Sequence, residues 1–168
     1  MDPERELVAM KRSYKEPQDG DVFIVQPTKG VYYYGKVIQA NLDSKANSFF
    51  GWHLIYIYDF WTKEIRVGVK LDGVPLLIAP MVVNKRPWTM GYIETIYNSS
   101  VTDYDRSIHY GFWDVLRKKF YDLQGNVLSQ VPKYSGTYGL GSYGAIGYEI
   151  HKVLDGEKDS ISSDFRLR

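Results

Sequence analysis

The abundance of aromatic side chains constrains the fold of this chain more than any other feature of its sequence. Aromatic residues make up 15% of the chain, and 15 of its 168 residues are tyrosines. Tyrosine, phenylalanine and tryptophan favour the pleated, half-buried surface of β-strands. A chain of this length folds by default as one domain with its own hydrophobic core. The sequence therefore predicts a single β-rich domain.

The composition narrows the classes of function. The chain has no cysteine, which excludes disulfides, thiolate metal sites and cysteine nucleophiles. With 21 basic and 20 acidic residues, its net charge of +1 provides no overall attraction to nucleic acid or anionic lipid. No apolar run approaches the ~18 residues of a membrane span, and the charged N-terminus lacks a secretory signal. We therefore expect a cytoplasmic protein with neither a membrane nor a nucleic acid as its partner.

Segments with the periodicity of β-strands fill most of the chain. Residues 21–26 and 31–40 flank a turn and predict an opening hairpin, and residues 52–58 are apolar on both faces, which is typical of a central strand. Gly35 lies inside the second strand, where a glycine indicates a bulge or a close approach of another backbone. Further strands are predicted over residues 65–71, 76–84, 88–97, 108–113, 120–123 and 127–131. Polar loops are predicted over residues 41–51, 98–106 and 132–144.

Two short helices are predicted outside the strands. In the N-terminal arm, Asp2 can cap a helix and Pro3 suits its first turn. Residues 145–154 carry apolar side chains at helical spacing, with Ser142 as a possible start and Gly156 as a stop.

These elements together define the predicted fold class, which is α+β but mostly β. We expect a twisted antiparallel sheet or a partly open barrel of about seven to nine strands, with one or two short peripheral helices. The β-rich domain is predicted to span residues 19–154. It follows an N-terminal helical arm over residues 1–18 and precedes a polar tail over residues 155–168.

No set of residues has the spacing of a catalytic or metal site. The histidines His53, His109 and His151 lie far apart, whereas a zinc site needs three or four converging ligands. Each is interpreted as a packing or surface residue, and neither cofactor nor metal is predicted. The string Gly139 to Gly144 matches G-x-G-x-x-G, but it follows a polar stretch rather than a buried strand. A glycine-rich loop is therefore favoured over a phosphate site.

Two clusters of charged residues are interpreted as solvent-exposed surface. Asp103 and Asp105 lie in a polar segment, where most carboxylates are exposed. Arg117, Lys118 and Lys119 stand beside aromatic residues, a combination that can contact single-stranded nucleic acid. Three charges in a chain that is nearly neutral overall more often protect an exposed strand edge.

Several short strings, taken in order, carry a resemblance to a known family. Residues 20–23 (GDVF) and 34–37 (YGKV) are followed by residues 58–59 (YD), 86–88 (RPW) and 91–92 (GY). In this order and spacing they resemble the immunity protein 26 family, a group of bacterial polymorphic-toxin immunity proteins. The resemblance covers most of the chain but supplies no catalytic residues.

The resemblance implies a non-enzymatic cytoplasmic protein that binds a cognate toxin domain and neutralises it by stoichiometric occlusion. Protein interfaces concentrate their affinity in aromatic and arginine side chains. Strand formation explains the aromatic residues of predicted strands, whereas those of predicted loops have no evident role in folding and are expected to contact the toxin. These candidate contacts are Phe49, Phe50, Tyr104, Tyr134, Tyr138 and Tyr143.

Two alternative functions stay open. Some relatives carry a phosphotriesterase label, and a small hydrolase acting on phosphoesters would need a pocket where a histidine meets carboxylates. A generic β-barrel module that binds peptide or nucleic acid would use the basic run at residues 117–119. The sequence does not define the toxin, the strand order or the oligomeric state.

Overall fold

Nine β-strands and three short helices form the framework of the described chain. The structure is a computed structural model that describes residues 6–44 and 49–156. The strands are β1 (Asp21–Thr28), β2 (Val31–Gln39), β3 (His53–Thr62), β4 (Met81–Val83), β5 (Glu94–Asn98), β6 (Tyr110–Asp114), β7 (Lys119–Tyr121), β8 (Tyr134–Thr137) and β9 (Leu140–Gly141). The helices are α1 (Arg86–Thr89), α2 (Asp103–Ser107) and α3 (Tyr143–Leu154). The mostly β fold class predicted from the sequence is confirmed.

The strands form two sheets. The large sheet has the order β5-β1-β2-β3-β4-β9, and the small sheet has the order β7-β6-β8. Neighbouring strands are antiparallel except in two pairs, β4 with β9 and β6 with β8, which are parallel. Within the described residues neither sheet closes into a barrel. The strand number agrees with the prediction, and there are three helices where one or two were expected.

Both faces of the large sheet are covered, and each carries part of the hydrophobic core. On one face, Phe23 and Trp88 pack in a cluster with Ile150 of α3. On the other face, Tyr56 belongs to a cluster that includes Phe112 of the small sheet. The first six residues of β3 are buried, as expected of a strand with apolar side chains on both faces. The predicted central strand is therefore confirmed.

The predicted opening hairpin consists of β1 and β2, and Gly35 lies at its tightest point. Phe23 of β1 and Ile57 of β3 are the register partners of Gly35 on its two sides. A Cβ atom at Gly35 would collide with the Phe23 ring and lie 2.5 Å from the carbonyl oxygen of Tyr56. The close approach indicated by a glycine inside a strand is thus present.

The described part of the N-terminal arm, residues 6–18, is not helical, contrary to the prediction. Leu7 is buried in the core, and the N–H of Val8 donates to the carbonyl oxygen of Gln26 at 2.7 Å. Its few apolar residues dock on the sheet, and long-range backbone hydrogen bonds replace those that a helix would supply. The cap predicted at Asp2 lies outside the described residues.

The alternating segment 65–71 is an irregular loop, and the prediction of a strand was wrong there. Ile65 and Val67 are 47% and 68% exposed, so their alternation does not mark a buried face. Gly68 has a φ of 75°, which turns the chain in a direction that a strand does not take. Residues 127–131 were also predicted as a strand, but they contribute only an isolated bridge to β7.

Two prolines shorten the strands predicted over residues 76–84 and 88–97. Of the first region, only Met81–Val83 form a strand, β4. It begins directly after Pro80, which has no backbone N–H to donate to a neighbouring strand. Helix α1 overlaps the first two residues of the second region and has Pro87 in its first turn. Only β5 of that region pairs with the large sheet.

The polar segment 98–106, predicted as a loop, contains α2. The Thr102 hydroxyl accepts a hydrogen bond from the Asp105 backbone N–H at 3.2 Å. In return, the Asp105 carboxylate accepts one from the Thr102 N–H at 3.1 Å. This reciprocal capping box satisfies two N–H groups that a helix start would otherwise leave without partners.

The glycine-rich segment 132–144, also predicted as a loop, supplies β8 and β9. A Cβ atom at Gly141 would collide with the Met81 side chain, and one at Gly136 would lie 2.9 Å from the carbonyl oxygen of Pro80. These glycines therefore allow two chain segments to pack closely. Close packing accounts for Gly136 and Gly141, whereas Gly139, with a φ of 149°, has open space around it.

Helix α3 confirms the predicted C-terminal helix, although it begins earlier, at Tyr143. The Ser142 hydroxyl accepts a hydrogen bond from the Ala145 N–H at 3.1 Å, as expected of the predicted start. Gly156 follows the helix with a φ of 75°, as expected of the predicted stop. Residues 157–168, most of the predicted tail, lie outside the described residues. The division into arm, domain and tail therefore stays a prediction.

Candidate functional site

A buried ion pair links the large sheet to α2. Lys36 Nζ lies 2.9 Å from Asp105 Oδ2, and the two side chains are 3% and 0% exposed. Burying two charges is unfavourable unless the groups are paired and their hydrogen-bonding capacity is met. The surroundings of the pair are therefore expected to supply further partners.

Two tyrosines on β3 provide those partners. The Tyr58 hydroxyl donates to Asp105 Oδ1 at 2.5 Å, and the Tyr56 hydroxyl donates to the backbone oxygen of Asp105 at 3.1 Å. Lys36 also donates to the carbonyl oxygen of Ser100 at 3.5 Å. We call Lys36, Tyr56, Tyr58 and Asp105 the polar cluster. It fixes α2 against one face of the large sheet.

The polar cluster holds Asp105 in its ionised form. Burial alone would raise the pKa of this carboxyl. Hydrogen bonds from Tyr58, Lys36 and Thr102, together with the charge of Lys36, outweigh burial and lower the pKa below its usual 3.8. Burial raises the pKa values of Tyr56 and Tyr58 well above 10, and the Asp105 carboxylate adds to this effect. Both tyrosines therefore keep their protons near neutral pH.

A cavity of about 580 Å³ adjoins the polar cluster. Its walls include Leu54 of the large sheet, Tyr110 of β6 and Arg106 of α2, and Tyr56 of the polar cluster also borders it. Burial raises the pKa of Tyr110 to about 12, so this hydroxyl is also protonated near neutral pH. The cavity is thus bordered by two tyrosines that keep their protons and by Arg106. Across residues 6–44 and 49–156, no three His, Asp or Glu side chains converge in a way that could hold a metal ion.

The three histidines lie in separate environments. His53 is buried, and its Nδ1 accepts a hydrogen bond from the Asn41 N–H at 3.0 Å. Its ring also meets Trp88 edge-on, with 6.1 Å between ring centroids. His109 is exposed. His151 is buried on α3, and its Nε2 has no hydrogen-bond partner among the described residues. These placements agree with the packing or surface roles predicted for them.

We expect the protein to lose stability as the pH falls below about 6.5, because of His53. Burial lowers the pKa of His53 from 6.5, Glu16 partly opposes this effect, and Lys85 adds to it. Between pH 6.5 and the lower folded-state pKa, the unfolded chain binds the proton more readily than the folded chain, so stability falls with pH. Protonation of Nδ1 would also place an N–H against the Asn41 N–H. Urea denaturation at about pH 7.5 and about pH 5.5 measures the difference.

Substitution of His53 separates this effect from general acid sensitivity. His53→Gln keeps a side-chain oxygen that can accept from Asn41 but does not titrate, so its stability should change less over this range. His109→Gln changes an exposed histidine and should retain the wild-type pH dependence. An unchanged slope in His53→Gln would show that His53 is not the responsible group.

Of the six aromatic residues predicted to contact a partner, Phe50 is the most accessible, with 62% of its surface exposed. Phe49 is fully buried, with ring-centroid distances of 5.0 Å to Phe112 and 5.1 Å to Tyr138. Tyr138 is half-buried, and its ring centroid is 4.9 Å from that of Tyr121. Phe49 is therefore a core residue, because its ring is enclosed by the aromatic side chains of the small sheet and its flanking loop.

The other three candidates lie in regular structure rather than in loops. The Tyr104 hydroxyl, on α2, donates to a carbonyl oxygen of the β3–β4 connection at 2.6 Å. The Tyr134 hydroxyl, on β8, accepts from the Leu76 N–H at 3.2 Å. Tyr143, the first residue of α3, stacks on Tyr92 at 4.7 Å. Each tyrosine therefore has a role in the fold, and contact with a partner stays a prediction for their exposed parts.

The polar cluster was not predicted from the sequence. Asp105 was interpreted as solvated surface but is fully buried, whereas Asp103 is exposed as expected. Two signals were available. Thr102 and Asp105 have the spacing of a capping box. Lys36 is a lone charge inside a strand of mostly buried residues, where it requires an anionic partner. The basic run at residues 117–119 lies in a turn and on the edge strand β7, as predicted.

Comparison with known families identifies the class of protein. The sequence model of the family described as immunity protein 26 matches residues 18–122, more than half of the chain, from β1 to β7. The chain belongs to this family, which confirms the resemblance seen in its sequence. Membership indicates a role in immunity to a toxin. Searches among curated proteins and solved structures return no significant match. None of the helices in the described ranges has the length and apolar character needed to cross a bilayer.

Proposed function

We propose that this protein neutralises a cognate toxin domain by binding it and covering a surface that the toxin needs for its activity. Family membership is the observation that carries this proposal. One immunity protein would bind one toxin domain through an interface of about 1,600 Å² in total, the size common to stable complexes. We place this binding in the cytoplasm of the producing cell. The lack of cysteine is compatible with that reducing compartment, where proteins rarely form disulfides.

The surface of the protein has apolar side chains suited to such an interface. Five large apolar residues of the described chain are more than 60% exposed. They are Tyr14, Phe50, Val67, Val115 and Leu116. Single exposed apolar residues are common on protein surfaces, so the group as a whole does not identify the interface. Among the contacts predicted from the sequence, Phe50 has the largest free area and remains the best candidate of that set.

The proposal is for binding rather than catalysis. A phosphoester hydrolase would need a base or a metal near its substrate. In the described chain, His53 accepts a backbone hydrogen bond, and His53, His109 and His151 are dispersed. The tyrosines beside the cavity are held in their protonated forms by burial. No geometry in the described residues favours the hydrolase alternative over binding.

Co-expression with the toxin domain tests the proposal. We expect the neighbouring gene to encode a multidomain toxin. Its C-terminal domain should stop the growth of a heterologous host, and co-expression of this chain should restore growth. Titration of the purified pair should give a 1:1 complex with a dissociation constant in about the nanomolar range. An immunity protein of an unrelated family serves as the control. Lack of both association and protection would reject the proposal, and protection by far less than one equivalent would point to catalysis.

A further inference from the structure

An apolar groove lies where residues of β6, β8, β9 and α3 come together. Its volume is about 590 Å³. Pro80 and Trp113 contribute to its walls, Leu140 lies at its side, and Ala145 of α3 borders it. Leu140 is 46% exposed although it is apolar. The groove is therefore a concave surface with apolar material accessible to a partner.

The turn between β6 and β7 stands at the side of this groove. We call residues 115–118 the tip. Val115 lines the groove and is 67% exposed, and Leu116 is 93% exposed. Adjacent aliphatic side chains held in solvent are unfavourable unless another surface covers them. The tip and the groove together form one surface with a protruding and a concave part.

The tip is held in a defined conformation. The Asp114 carboxylate accepts hydrogen bonds from the N–H groups of Leu116 at 2.9 Å and of Arg117 at 3.2 Å. The Lys118 N–H donates to the carbonyl oxygen of Asp114 at 2.8 Å, and Lys118 adopts a φ of 56°, which is unfavourable for a residue with a side chain. Leu116 is therefore presented by an ordered turn. An ordered apolar anchor loses little conformational entropy on binding.

The charges around this surface are mainly positive. Lys118 borders the groove, and Lys118 and Lys119 are exposed and form no ion pair within the described residues. The two nearby acids already have basic partners, since Asp114 lies 3.7 Å from Arg117 and Glu149 lies 3.9 Å from Lys152. A partner that carries carboxylates beside an apolar residue would complement this pattern.

We infer that the tip and the groove are the docking surface for the toxin domain, and that they receive a toxin segment with an apolar side chain flanked by carboxylates. Leu116 packs against the apolar part of the partner, the groove encloses the partner's own apolar side chain, and Lys118 and Lys119 meet its acids. This inference rests on the proposed function, which it extends by naming a surface.

Substitution of Leu116 tests the surface in the full-length protein. The probe is the purified toxin domain encoded by the adjacent gene, and its affinity is measured by calorimetry. Leu116→Glu should weaken binding about 100-fold, because it removes a central apolar anchor and brings a charge towards the partner's acids. The matched control is Val67→Glu, at a loop residue with 68% exposure that does not line the groove, and its affinity should stay within about threefold of wild type. Thermal unfolding should be unchanged in both variants.

Association kinetics at different salt concentrations test the role of the two lysines. The double variant Lys118→Gln with Lys119→Gln should reduce the association rate about tenfold at low salt and leave the dissociation rate nearly unchanged. Raising the salt concentration should slow association for the wild type and affect this variant less. Equal salt dependence in both proteins would contradict the predicted acidic partner segment.

The possible results separate the inference from the proposed function. If the wild type fails to bind the toxin domain, both are rejected. If the wild type binds and Leu116→Glu binds equally well, the docking surface is elsewhere while the function stands, and loss of binding in Phe50→Glu would place it near residue 50. A wild-type dimer that Leu116→Glu converts to a monomer, without effect on toxin binding, would assign the surface to a second copy of this chain. Salt-dependent binding of a single-stranded oligonucleotide that the lysine variant abolishes, with toxin binding unaffected, would assign it to nucleic acid.

Discussion

Replacement of Asp105 with alanine is expected to lower the free energy of unfolding by about 3–5 kcal/mol. The substitution leaves the buried Lys36 ammonium with the Ser100 carbonyl oxygen, at 3.5 Å, as its remaining hydrogen-bond partner among the described residues. It also removes the acceptor of the Tyr58 hydroxyl and the carboxylate that caps α2. Urea denaturation of the two proteins side by side gives the difference.

Two further variants make this expectation specific to the buried pair. Asp103→Ala removes a fully exposed carboxylate from the same helix, and its stability should change by less than about 0.5 kcal/mol. The paired replacement of Lys36 with methionine and Asp105 with leucine removes both charges. It should be more stable than Asp105→Ala, because no unpaired charge remains buried. If Asp105→Ala lowered the free energy of unfolding no more than Asp103→Ala does, that result would contradict the burial of the Lys36–Asp105 ion pair.

The strands that were predicted correctly are those whose pattern coincides with burial. Residues 21–26, 31–40 and 52–58 all became long strands, because both sequence periodicity and the hydrophobic core favour that conformation. Residues 65–71 have an equally regular alternation, but only Val69 and Leu71 pack against the core, whereas Ile65 and Val67 are exposed. Periodicity alone does not indicate whether another element covers the apolar side chains. That information belongs to the tertiary structure.

The short helices and the interface candidates depend on partners that are distant in sequence. Helix α2 is short and polar, and it is held by hydrogen bonds to Lys36 and Tyr58, 69 and 47 residues away. Tyr134 was assigned to a loop because its segment is rich in glycine. Those glycines allow close pairing, and its hydroxyl accepts from a residue 58 positions earlier. Single-sequence patterns contain local preferences but no information on such contacts, which is why both the polar cluster and the folded roles of the tyrosines were missed.

Assignment to a predicted loop does not separate the aromatic residues that stabilise the fold from those that could contact a partner. Phe49 and Phe50 are neighbours in one loop, yet Phe49 is fully buried and Phe50 is 62% exposed. The tip adds the opposite case, since Leu116 is aliphatic and was not a candidate, but it is 93% exposed in an ordered turn. Exposure combined with a fixed backbone is therefore a better guide to an anchor than residue type combined with a loop assignment.

Replacement of Gly35 with alanine is expected to destabilise the protein by about 3 kcal/mol or more, although it adds a single methyl group. The new Cβ atom would collide with the Phe23 ring on one side and lie 2.5 Å from the Tyr56 carbonyl oxygen on the other. The ring can move only by disturbing its packing, with Trp88 at 6.0 Å between ring centroids, and the carbonyl belongs to a central strand. The central strands would therefore have to separate. Urea denaturation is again the measurement.

A second glycine and a second substitution separate steric crowding from backbone strain. Gly30 has a φ of 82° and open space around it, so Gly30→Ala should cost only about 1–2 kcal/mol from its left-handed backbone. Adding Phe23→Leu to Gly35→Ala removes the collision with the ring but leaves the contact with the Tyr56 oxygen. The double variant should therefore regain only part of the stability that Gly35→Ala loses. Full recovery would show that the ring is the sole obstacle, and a Gly35→Ala protein no less stable than Gly30→Ala would contradict the close packing of β1, β2 and β3. Partial recovery would instead locate the remaining constraint in the backbone of β3, the strand that also carries both tyrosines of the polar cluster.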